Sequence, residues 1–350
     1  MSKKKLSLLV VFLILVLSFA LLRYGRNAPD PDAARADLLS LLPNDGSIAG
    51  FVDLQQLRNS PFLTELLSWA PAAAPDGDYA QFIQATGFNY ERDLDRVALT
   101  SNRRSQTPLI FAIAEGRFDR KKIENYASQF GFLKTASGKT LFAVPVSGSE
   151  RKAYFTFWRE DRVAWANDSS YFFQRPVSPE AQQWRDHFSR VAGTPIFAVL
   201  RQEPFTTSAL TQAAGGFRSP QLATLLGQLQ WITVSGKPEG NVLRVVIDGE
   251  SAMEPTVRQL KELLSGLVVL AEAGLNDAKT SKQLDPELRQ GYLNLLQSAD
   301  IQQLDRGTSK SVRVIFDLTP KLLEAPRPSP PAADPHSPKT PHKNARANTK

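Results

Sequence analysis

Residues 108–115, Pro-Leu-Ile-Phe-Ala-Ile-Ala-Glu, decide the fold class of this 350-residue chain. Apolar side chains occupy both the odd and the even positions from Leu109 to Ala114. Successive side chains of a strand point to opposite faces of the sheet, so this strand is apolar on both faces and has to be covered on both. We therefore expect an α+β fold, with helices on one side and helices or a second sheet on the other.

The order of predicted elements occurs twice. Residues 45–190 contain a strand, helices, two strands, a helix and a hairpin at 132–144. Residues 191–324 contain the same order, with a long helix at 253–275 and a closing hairpin at 301–316. One face of that long helix is expected to be apolar and consists of Val257, Leu260, Leu264, Leu267 and Ala271. We expect two similar halves that arose by duplication. An α+β chain can also produce such an order by chance, and few residues agree: Thr100 with Thr233, Glu115-Gly116 with Asp248-Gly249, and Pro61-Phe62 with Pro204-Phe205.

The first half also contains an insertion that is rich in aromatic residues. Strands are predicted at Arg151–Trp158 and Arg162–Ala166, followed by a helix around Ala181–Phe188. The insertion is expected either to bridge the two halves or to widen the first sheet.

Cationic side chains alternate with the aromatic residues of this insertion. In the first of its strands, Phe155 and Phe157 share one face and are expected to be core. Tyr154 and Trp158 share the other face and are expected to lie at the surface. Aromatic groups beside cations can bind a sugar, a peptide or a protein. The alternative is that all these aromatic residues form a hydrophobic core. The candidate binding site consists of Tyr154, Trp158, Arg159 and Arg162.

The N-terminal segment, residues 1–26, has the pattern of a membrane anchor. Three lysines precede an apolar run from Leu6 to Leu22, interrupted only by Ser7 and Ser18. At 1.5 Å per residue this run spans about 26 Å, enough for a bilayer core. The lysines favour a cytoplasmic N-terminus, which predicts a single-pass protein of the bacterial inner membrane with a periplasmic or extracellular body. The alternative is a signal peptide cleaved after Ala20.

The segments on the two sides of the body are predicted to differ in structure: the first contains a short helix and the last is disordered. Residues 27–44 are expected to form a spacer and a short helix, Ala33–Leu42, that stops at Pro43. Residues 325–350 contain seven prolines and no apolar side chain larger than alanine, so we expect a disordered, basic tail. This tail is either a solvated terminus or a contact for anionic polymers or lipid headgroups.

Composition excludes several kinds of chemistry. Cysteine is absent, and His187 is the one histidine of three that lies outside the tail. We predict no catalytic residue, no metal centre and no cofactor. His187 is expected to be a surface or half-buried structural residue. Two acidic pairs, Asp93 with Asp95 and Glu160 with Asp161, are expected to be solvated or to cap turns.

Charge indicates which partners to expect. The two ends contribute +5 and +4 to the formal net charge of +7, so the body carries −2. A globular nucleic-acid-binding protein carries its positive charge on the fold, so a nucleic-acid partner is not expected. An envelope protein, or an anionic or glycan polymer, is the expected partner in addition to the membrane.

Two short stretches after the anchor carry a family resemblance. Leu41-Leu42-Pro43-Asn44-Asp45 leads into Ile48-Ala49-Gly50-Phe51-Val52-Asp53-Leu54. In these stretches the chain resembles uncharacterised, N-terminally membrane-anchored bacterial envelope proteins of a domain-of-unknown-function type. The similarity covers the first 60 residues. It implies location and architecture, and it implies no catalytic residues because that family has no established activity.

These observations predict a membrane-anchored extracytoplasmic protein that binds or assembles components of the bacterial envelope without catalysis. The main alternative is a carboxylate-dependent glycan hydrolase, which would place two carboxyl groups about 5–10 Å apart in a cleft. A purely structural spacer is the third possibility.

Overall fold

The structure, a computed structural model, describes residues 31–43, 45–69, 77–102, 108–130, 132–136, 139–145, 152–173, 181–203, 220–277, 284–307 and 309–323. The predicted anchor (1–26) and the predicted tail (325–350) lie outside these ranges. Among the helices of the described ranges, none is both long and apolar enough to cross a bilayer.

The described residues form a large antiparallel sheet and ten α-helices, which confirms the α+β class. The strands are β1 (Ile48–Asp53), β2 (Leu94–Asn102), β3 (Leu109–Gly116), β4 (Phe132–Ala136), β5 (Lys139–Pro145), β6 (Lys152–Arg159), β7 (Arg162–Ala166), β8 (Ile196–Arg201), β9 (Trp231–Glu239), β10 (Val242–Ser251), β11 (Asp300–Asp305) and β12 (Lys310–Leu318). The helices are α1 (Pro31–Ser40), α2 (Leu54–Arg58), α3 (Pro61–Trp69), α4 (Gly77–Thr86), α5 (Tyr90–Asp93), α6 (Arg120–Phe130), α7 (Ala181–Arg190), α8 (Pro220–Gly227), α9 (Glu254–Asn276) and α10 (Pro286–Gln297).

All twelve strands belong to one sheet, in the order β11-β12-β10-β9-β8-β1-β2-β3-β7-β6-β5-β4. The two segments, 45–190 and 191–324, therefore meet edge to edge through β1 and β8. Phe51 lies opposite Phe197 at this junction, and their rings stack with centroids 5.5 Å apart. The possibility that one half's sheet packs face to face on the other is wrong, because backbone hydrogen bonds join the halves instead.

One face of the sheet is covered by α1 and α7. Leu38 and Leu39 of α1 and Trp184 of α7 pack there on strand residues, among them Phe51 and Phe111. This face includes the odd positions of the stretch 109–113. The predicted short helix 33–42 is found two residues earlier, at Pro31–Ser40, because proline is well accommodated in a first helical turn.

The other face is covered by α2, α3, α8 and α9. Leu54, Leu57 and Leu63 form one cluster with Val97, and a second cluster packs around Val257. Ala114 lies in the first of these clusters, so the strand that is apolar on both faces is covered on both, as predicted. The members of the second cluster are Leu222, Leu225, Leu229, Ile232, Val257, Leu260 and Val312.

The insertion widens the sheet. β7 pairs with β3, and β6 joins β7 to β5, so β6 and β7 lie between β3 and the hairpin β4–β5. The junction of the halves is at β1 and β8, on the other side of β2 and β3. The strands of the insertion therefore widen the first sheet, whereas its helix, α7, bridges the halves, because Trp184 and His187 contact Trp231 of the second half.

Candidate binding site

The four residues of the predicted site lie on the hairpin of β6 and β7. Its turn is Glu160-Asp161, and the strand register shifts between Phe157 and Arg159. This bulge places Arg159 directly opposite Arg162. The hairpin therefore brings two arginines face to face at its end, with Tyr154 further along β6.

The aromatic residues of β6 divide between the two faces of the sheet, as the alternation predicts. Phe157 is buried beside Phe118 (5.9 Å between ring centroids), and the guanidinium of Arg120 lies over its ring at 5.6 Å. Phe155 is half-buried. Phe157 also contacts Phe155 (6.4 Å between ring centroids), so these rings pack together on this face of the sheet.

Trp158 and Tyr154 lie on the face that α1 and α7 cover. Trp158 is half-buried and packs against the main core, with its ring 6.0 Å from that of Phe111. Tyr154 is also half-buried, and it lies opposite Ala166. The expectation that Trp158 is a surface residue therefore holds for only part of its ring.

Arg162 belongs to a buried row of alternating charges. Asp53, Arg96, Glu115 and Arg162 are direct neighbours on four adjacent strands, β1, β2, β3 and β7. Arg96 Nε donates to Asp53 at 3.0 Å, and Arg162 Nε donates to Glu115 at 3.0 Å. All four side chains are at most 10% exposed. Charged groups removed from water need such partners.

Asp37 belongs to α1, the helix that packs on this face of the sheet, and its carboxylate is the last charged group of the row. Arg162 donates a second hydrogen bond to the Asp37 carboxylate. Burial acts against the charge of Arg162, but the hydrogen bonds to Asp37 and Glu115 outweigh it and hold its pKa above the ordinary value. Arg162 thus connects α1 to the sheet, because its guanidinium forms hydrogen bonds with both Asp37 and Glu115.

Arg159 is the exposed member of the arginine pair. Its side chain is 55% exposed, and its nitrogens lie 3.6–3.8 Å from the carboxylates of Asp161, Glu115 and Asp37. These separations exceed hydrogen-bond length. Of the two predicted cations, Arg159 is therefore the one that a ligand could reach.

A second buried charge cluster lies on β10. Asp248 accepts hydrogen bonds from Arg313 Nε and Nη2 at 2.9 and 2.8 Å, and one from Arg306 at 3.3 Å. Hydrogen bonding to Asp248 raises the pKa of Arg313. Glu250 accepts from Arg190 and from the Ser309 hydroxyl. Both carboxylates are buried and neutralised by arginine.

His187 is fully buried beside this cluster. Its ring stacks on Trp231 with centroids 4.3 Å apart, and its Nδ1 lies 3.7 Å from Glu250 Oε1. Burial, followed by the charge of Arg190, lowers the pKa of His187 to about 4. The expectation of a surface or half-buried position is therefore wrong: His187 is buried because α7 turns it onto the sheet.

Three of the four acids of the pairs named in the sequence accept hydrogen bonds from arginines. Asp93 accepts from Arg92 and from the Asn89 backbone, and these bonds outweigh its burial and lower its pKa. Asp95 accepts from Arg58. Glu160 accepts from Arg120 at 3.0 Å. Asp93 and Glu160 hence serve turns and helix ends, in agreement with the sequence.

A surface feature that the sequence analysis missed lies on α9. Val269 and Leu270 are 64% and 69% exposed, more than the other large apolar residues exposed in the described ranges. The predicted apolar face of this helix does face the core or its edge, and it consists of Val257, Leu260, Leu264, Leu267 and Ala271. A second stripe with helical spacing, Gly266, Val269, Leu270 and Ala273, was visible in the sequence and points outward.

Comparison with known proteins gives distant structural neighbours. No protein-family model matches the chain, and no curated protein matches it. The chain is similar to the structure of crystal form III of TP0453, with 10% sequence identity, a TM-score of 0.42, and coverage of 85% of this chain and 97% of that chain. For crystal form IV of TP0453 the identity is 10%, the TM-score 0.41, and the coverage 84% and 97%. This likeness assigns no function.

Proposed function

We propose that this protein is a membrane-anchored extracytoplasmic protein that binds or assembles components of the bacterial envelope and is not an enzyme. The apolar run Leu6–Leu22 and its three preceding lysines support an anchor in the inner membrane with the body on the far side. The resemblance carried by residues 41–54 supports the same location.

The observation that carries the binding role is the outward apolar surface of α9. Single exposed apolar residues are ordinary, but Val269 and Leu270 are adjacent and about two-thirds exposed. Contiguous exposed apolar surface is typical of contact sites. A binding protein needs such a surface and needs no activated side chain.

The buried carboxylates support a non-catalytic role. A general acid or base has to reach its substrate by a direct hydrogen bond or through one water molecule. Glu115, Asp248 and Glu250 are each bonded to arginine. The alternative of a carboxylate-dependent glycan hydrolase therefore receives no support from these three groups.

Arg159, with Tyr154 five residues earlier on β6, is the proposed secondary contact. Its exposed guanidinium suits the carboxylates or phosphates of an anionic polymer, or an acidic protein surface. Trp158 is half-buried, and Arg162 bonds the hairpin to Glu115 of β3 and to Asp37 of α1.

We also propose that the two halves arose by duplication, with β1, β2 and β3 equivalent to β8, β9 and β10. In both halves a buried acid on the third strand, Glu115 or Asp248, bonds the arginine directly opposite on the next strand. A glycine follows each acid where a Cβ would lie 2.2 Å from Asp93 O or 2.9 Å from Leu229 Cδ1.

This equivalence changes two details of the sequence alignment. Glu115 lies opposite Arg96 whereas Asp248 lies opposite Thr233, so Thr100 and Thr233 do not occupy matching positions. β7 stands next to β3 as β12 stands next to β10. The insertion β6–β7 is then the counterpart of β11–β12, and the hairpin β4–β5 is the added element.

Crosslinking in intact cells tests the proposed function. The full chain carrying an affinity tag is crosslinked and purified, and the proteins or glycans attached to it are identified by mass spectrometry. The control keeps residues 1–44 and the tag but lacks the body. A reproducible partner that needs the body supports the proposal. Recovery of the chain from the soluble fraction, or identical partners with and without the body, contradicts it.

A further inference from the structure

Two aligned rows of residues identify equivalent positions of β1 and β8. In the row that crosses β3, β2 and β1, Glu115 is aligned with Asp53. In the row that crosses β10, β9 and β8, Asp248 is aligned with Val199. Because Glu115 and Asp248 are the equivalent acids of the proposed duplication, positions 53 and 199 are equivalent. The positions two residues earlier on each strand, 51 and 197, are therefore equivalent as well.

These equivalent positions face each other where β1 pairs with β8. Phe51 lies directly opposite Phe197, and the two rings stack with centroids 5.5 Å apart. A residue that lies opposite its own equivalent marks a twofold axis, as at the contact of two identical subunits. Any other register between β1 and β8 would have separated these two positions. The parts of the chain that meet at β1 and β8 are thus related as the subunits of a twofold dimer.

The helices follow the same twofold relation. α1 is the helix before β1 and α7 is the helix before β8, and both cover the same face of the sheet. α3 and α8 follow these strands and cover the opposite face. A twofold axis perpendicular to the sheet keeps each helix on its own face, so α7 is the counterpart of α1. We therefore call residues 31–173 the first unit and residues 181–323 the second unit.

The contacts of α7 agree with this division. Trp184 and His187 both contact Trp231 of β9. The ring centroid of Phe188 lies 6.0 Å from that of Phe197 of β8. α7 thus packs on strands of the second unit, to which the twofold relation assigns it.

The two charge clusters described above each lie within one unit. The cluster of the first unit consists of Asp37, Asp53, Arg96, Glu115 and Arg162. The cluster of the second unit consists of Arg190, Asp248, Glu250, Arg306 and Arg313. A boundary after α7 would separate Arg190 from Glu250, and loss of one partner of a buried ion pair is costly. With the boundary before α7, both clusters stay complete when the units part, which is what two separable subunits require.

The junction between the units is apolar on both faces of the sheet. On one face, Phe51 and Phe197 belong to the main core. On the other face, Val52 lies opposite Ile196, and both pack against the leucine cluster of α2 and α3. Permanent interfaces between subunits have such apolar cores, so a unit that exposed this edge would need a partner.

We propose that β1 and β8 are homotypic pairing strands, each able to pair with the same strand in a second copy of this chain. Within one copy the other unit fills this surface, because a short linker supplies an effective concentration in the millimolar range. In a like pair of β1 strands the axis lies at Phe51, so Gly50 faces position 52 of the second copy. This inference rests on the proposed duplication and needs neither the anchor nor the envelope role.

The absence of cysteine from the chain allows a position-specific test. Two forms of the full chain, Gly50→Cys and Val52→Cys, each carry a protease site within residues 174–180. They are folded in detergent, cut, unfolded together in urea, refolded and oxidised, so that both units are present throughout. The expected product is a disulfide between two first units, because positions 50 and 52 face each other only in the like pair.

Each variant alone is the matched control. Two cysteines at position 50 would lie about 8 Å apart in the like pair, beyond the Cα separation of about 7 Å that a disulfide tolerates. We expect the mixture to give about five times as much crosslinked dimer as either variant alone, or more. The uncut mixture should give about fivefold less than the cut one, because the linked unit competes.

A double variant, Gly50→Cys with Ala198→Cys, reports whether the junction has formed. These positions face each other in β1 and β8. A Cβ at Gly50 would meet its nearest neighbours, among them Leu99 Cγ, at an ordinary contact distance of 3.6 Å. The disulfide should hold the two units together after the cut.

The outcomes separate this inference from the proposed function. If the double variant links its units but the mixture gives no excess dimer, like pairing is overturned and the envelope role stands. If the double variant does not link, the register at the junction is wrong and the inference falls with it. If the mixture gives the dimer but the affinity-tagged chain recovers no envelope partner, the pairing stands and the proposed function fails.

Discussion

Arg162 on β7 lies directly opposite Glu115 on β3, and its Nε donates a 3.0 Å hydrogen bond to the Glu115 carboxylate in a setting where both side chains are at most 10% exposed. The pair continues a row of charges from Asp53 and Arg96 and ends at Asp37 of α1. It lies at the end of the predicted binding hairpin. A residue selected as a ligand contact is therefore part of the internal support of the sheet.

This relationship predicts very different effects for the two arginines of the hairpin. Arg162→Met leaves Glu115 and Asp37 without their main partner, and loss of one member of a buried ion pair costs about 3–5 kcal/mol. Arg159→Met removes an exposed cation and should change the free energy of unfolding by less than about 1 kcal/mol. Urea denaturation of both variants measures the difference. Similar losses in the two variants would refute the assignment of Arg162 as the buried one.

Trp158 is expected to behave as a packing residue. Trp158→Ala removes a ring that packs against Phe111 and should lower the unfolding free energy by about 2 kcal/mol, which is less than a fully buried tryptophan would cost. Tyr154→Ala serves as the comparison on the same strand face and should cost less. Thermal unfolding of both variants tests whether Trp158→Ala is the more destabilising. An unchanged melting temperature for Trp158→Ala would mean that Trp158 is a surface residue that does not stabilise the core.

We expect His187 to make the free energy of unfolding depend on pH. Its folded-state pKa of about 4 is below the ordinary value of 6.5, so the unfolded chain takes up this proton first as the pH falls. Stability from this group is complete above about pH 6.5 and is lost progressively between pH 6.5 and 4, by about 3 kcal/mol in all.

The variant His187→Phe isolates this contribution. It keeps an aromatic ring on Trp231 but cannot bind a proton. The difference in unfolding free energy between pH 7 and pH 4 should be about 3 kcal/mol smaller in the variant than in the parent protein. The same pH dependence in both proteins would mean that His187 is solvated.

The shared sheet predicts that the two halves unfold together. β1 and β8 are joined by backbone hydrogen bonds and by the stacked rings of Phe51 and Phe197. Phe197→Ala should lower stability by about 3–5 kcal/mol and shift the whole transition. Far-ultraviolet circular dichroism and tryptophan fluorescence should give one coincident transition in the parent protein. Two separate transitions would mean that residues 45–190 and 191–324 are independent domains.

Much of the local structure could be predicted from residue patterns. The unbroken apolar run at residues 109–114 predicted a strand that is covered on both faces. The apolar face that contains Val257 and Leu260 predicted which side of α9 is buried. The expected hairpins at 132–144 and 301–316 correspond to β4–β5 and β11–β12. These predictions succeed because side-chain direction within one element depends only on its own periodicity.

The site was harder to predict because burial of a charge depends on residues that are distant in the chain. Arg159 and Arg162 are three residues apart and look alike in the sequence. Glu115 and Asp37, which lie 47 and 125 residues before Arg162, make one of them an internal ion-pair partner. Val269 and Leu270 were overlooked for the related reason that a helix with two apolar stripes does not reveal which stripe faces the sheet.

The sequence by itself therefore determined the elements, the α+β class, the apolar faces and the exclusion of thiol chemistry. Only the tertiary structure decided that the two halves share one sheet, that β7 stands beside β3, and that His187, Arg162 and Glu250 are buried while Leu270 is exposed. The physical reason is that strand pairing and burial are set by contacts between residues far apart in the chain, and periodicity within one segment carries no information about its partner.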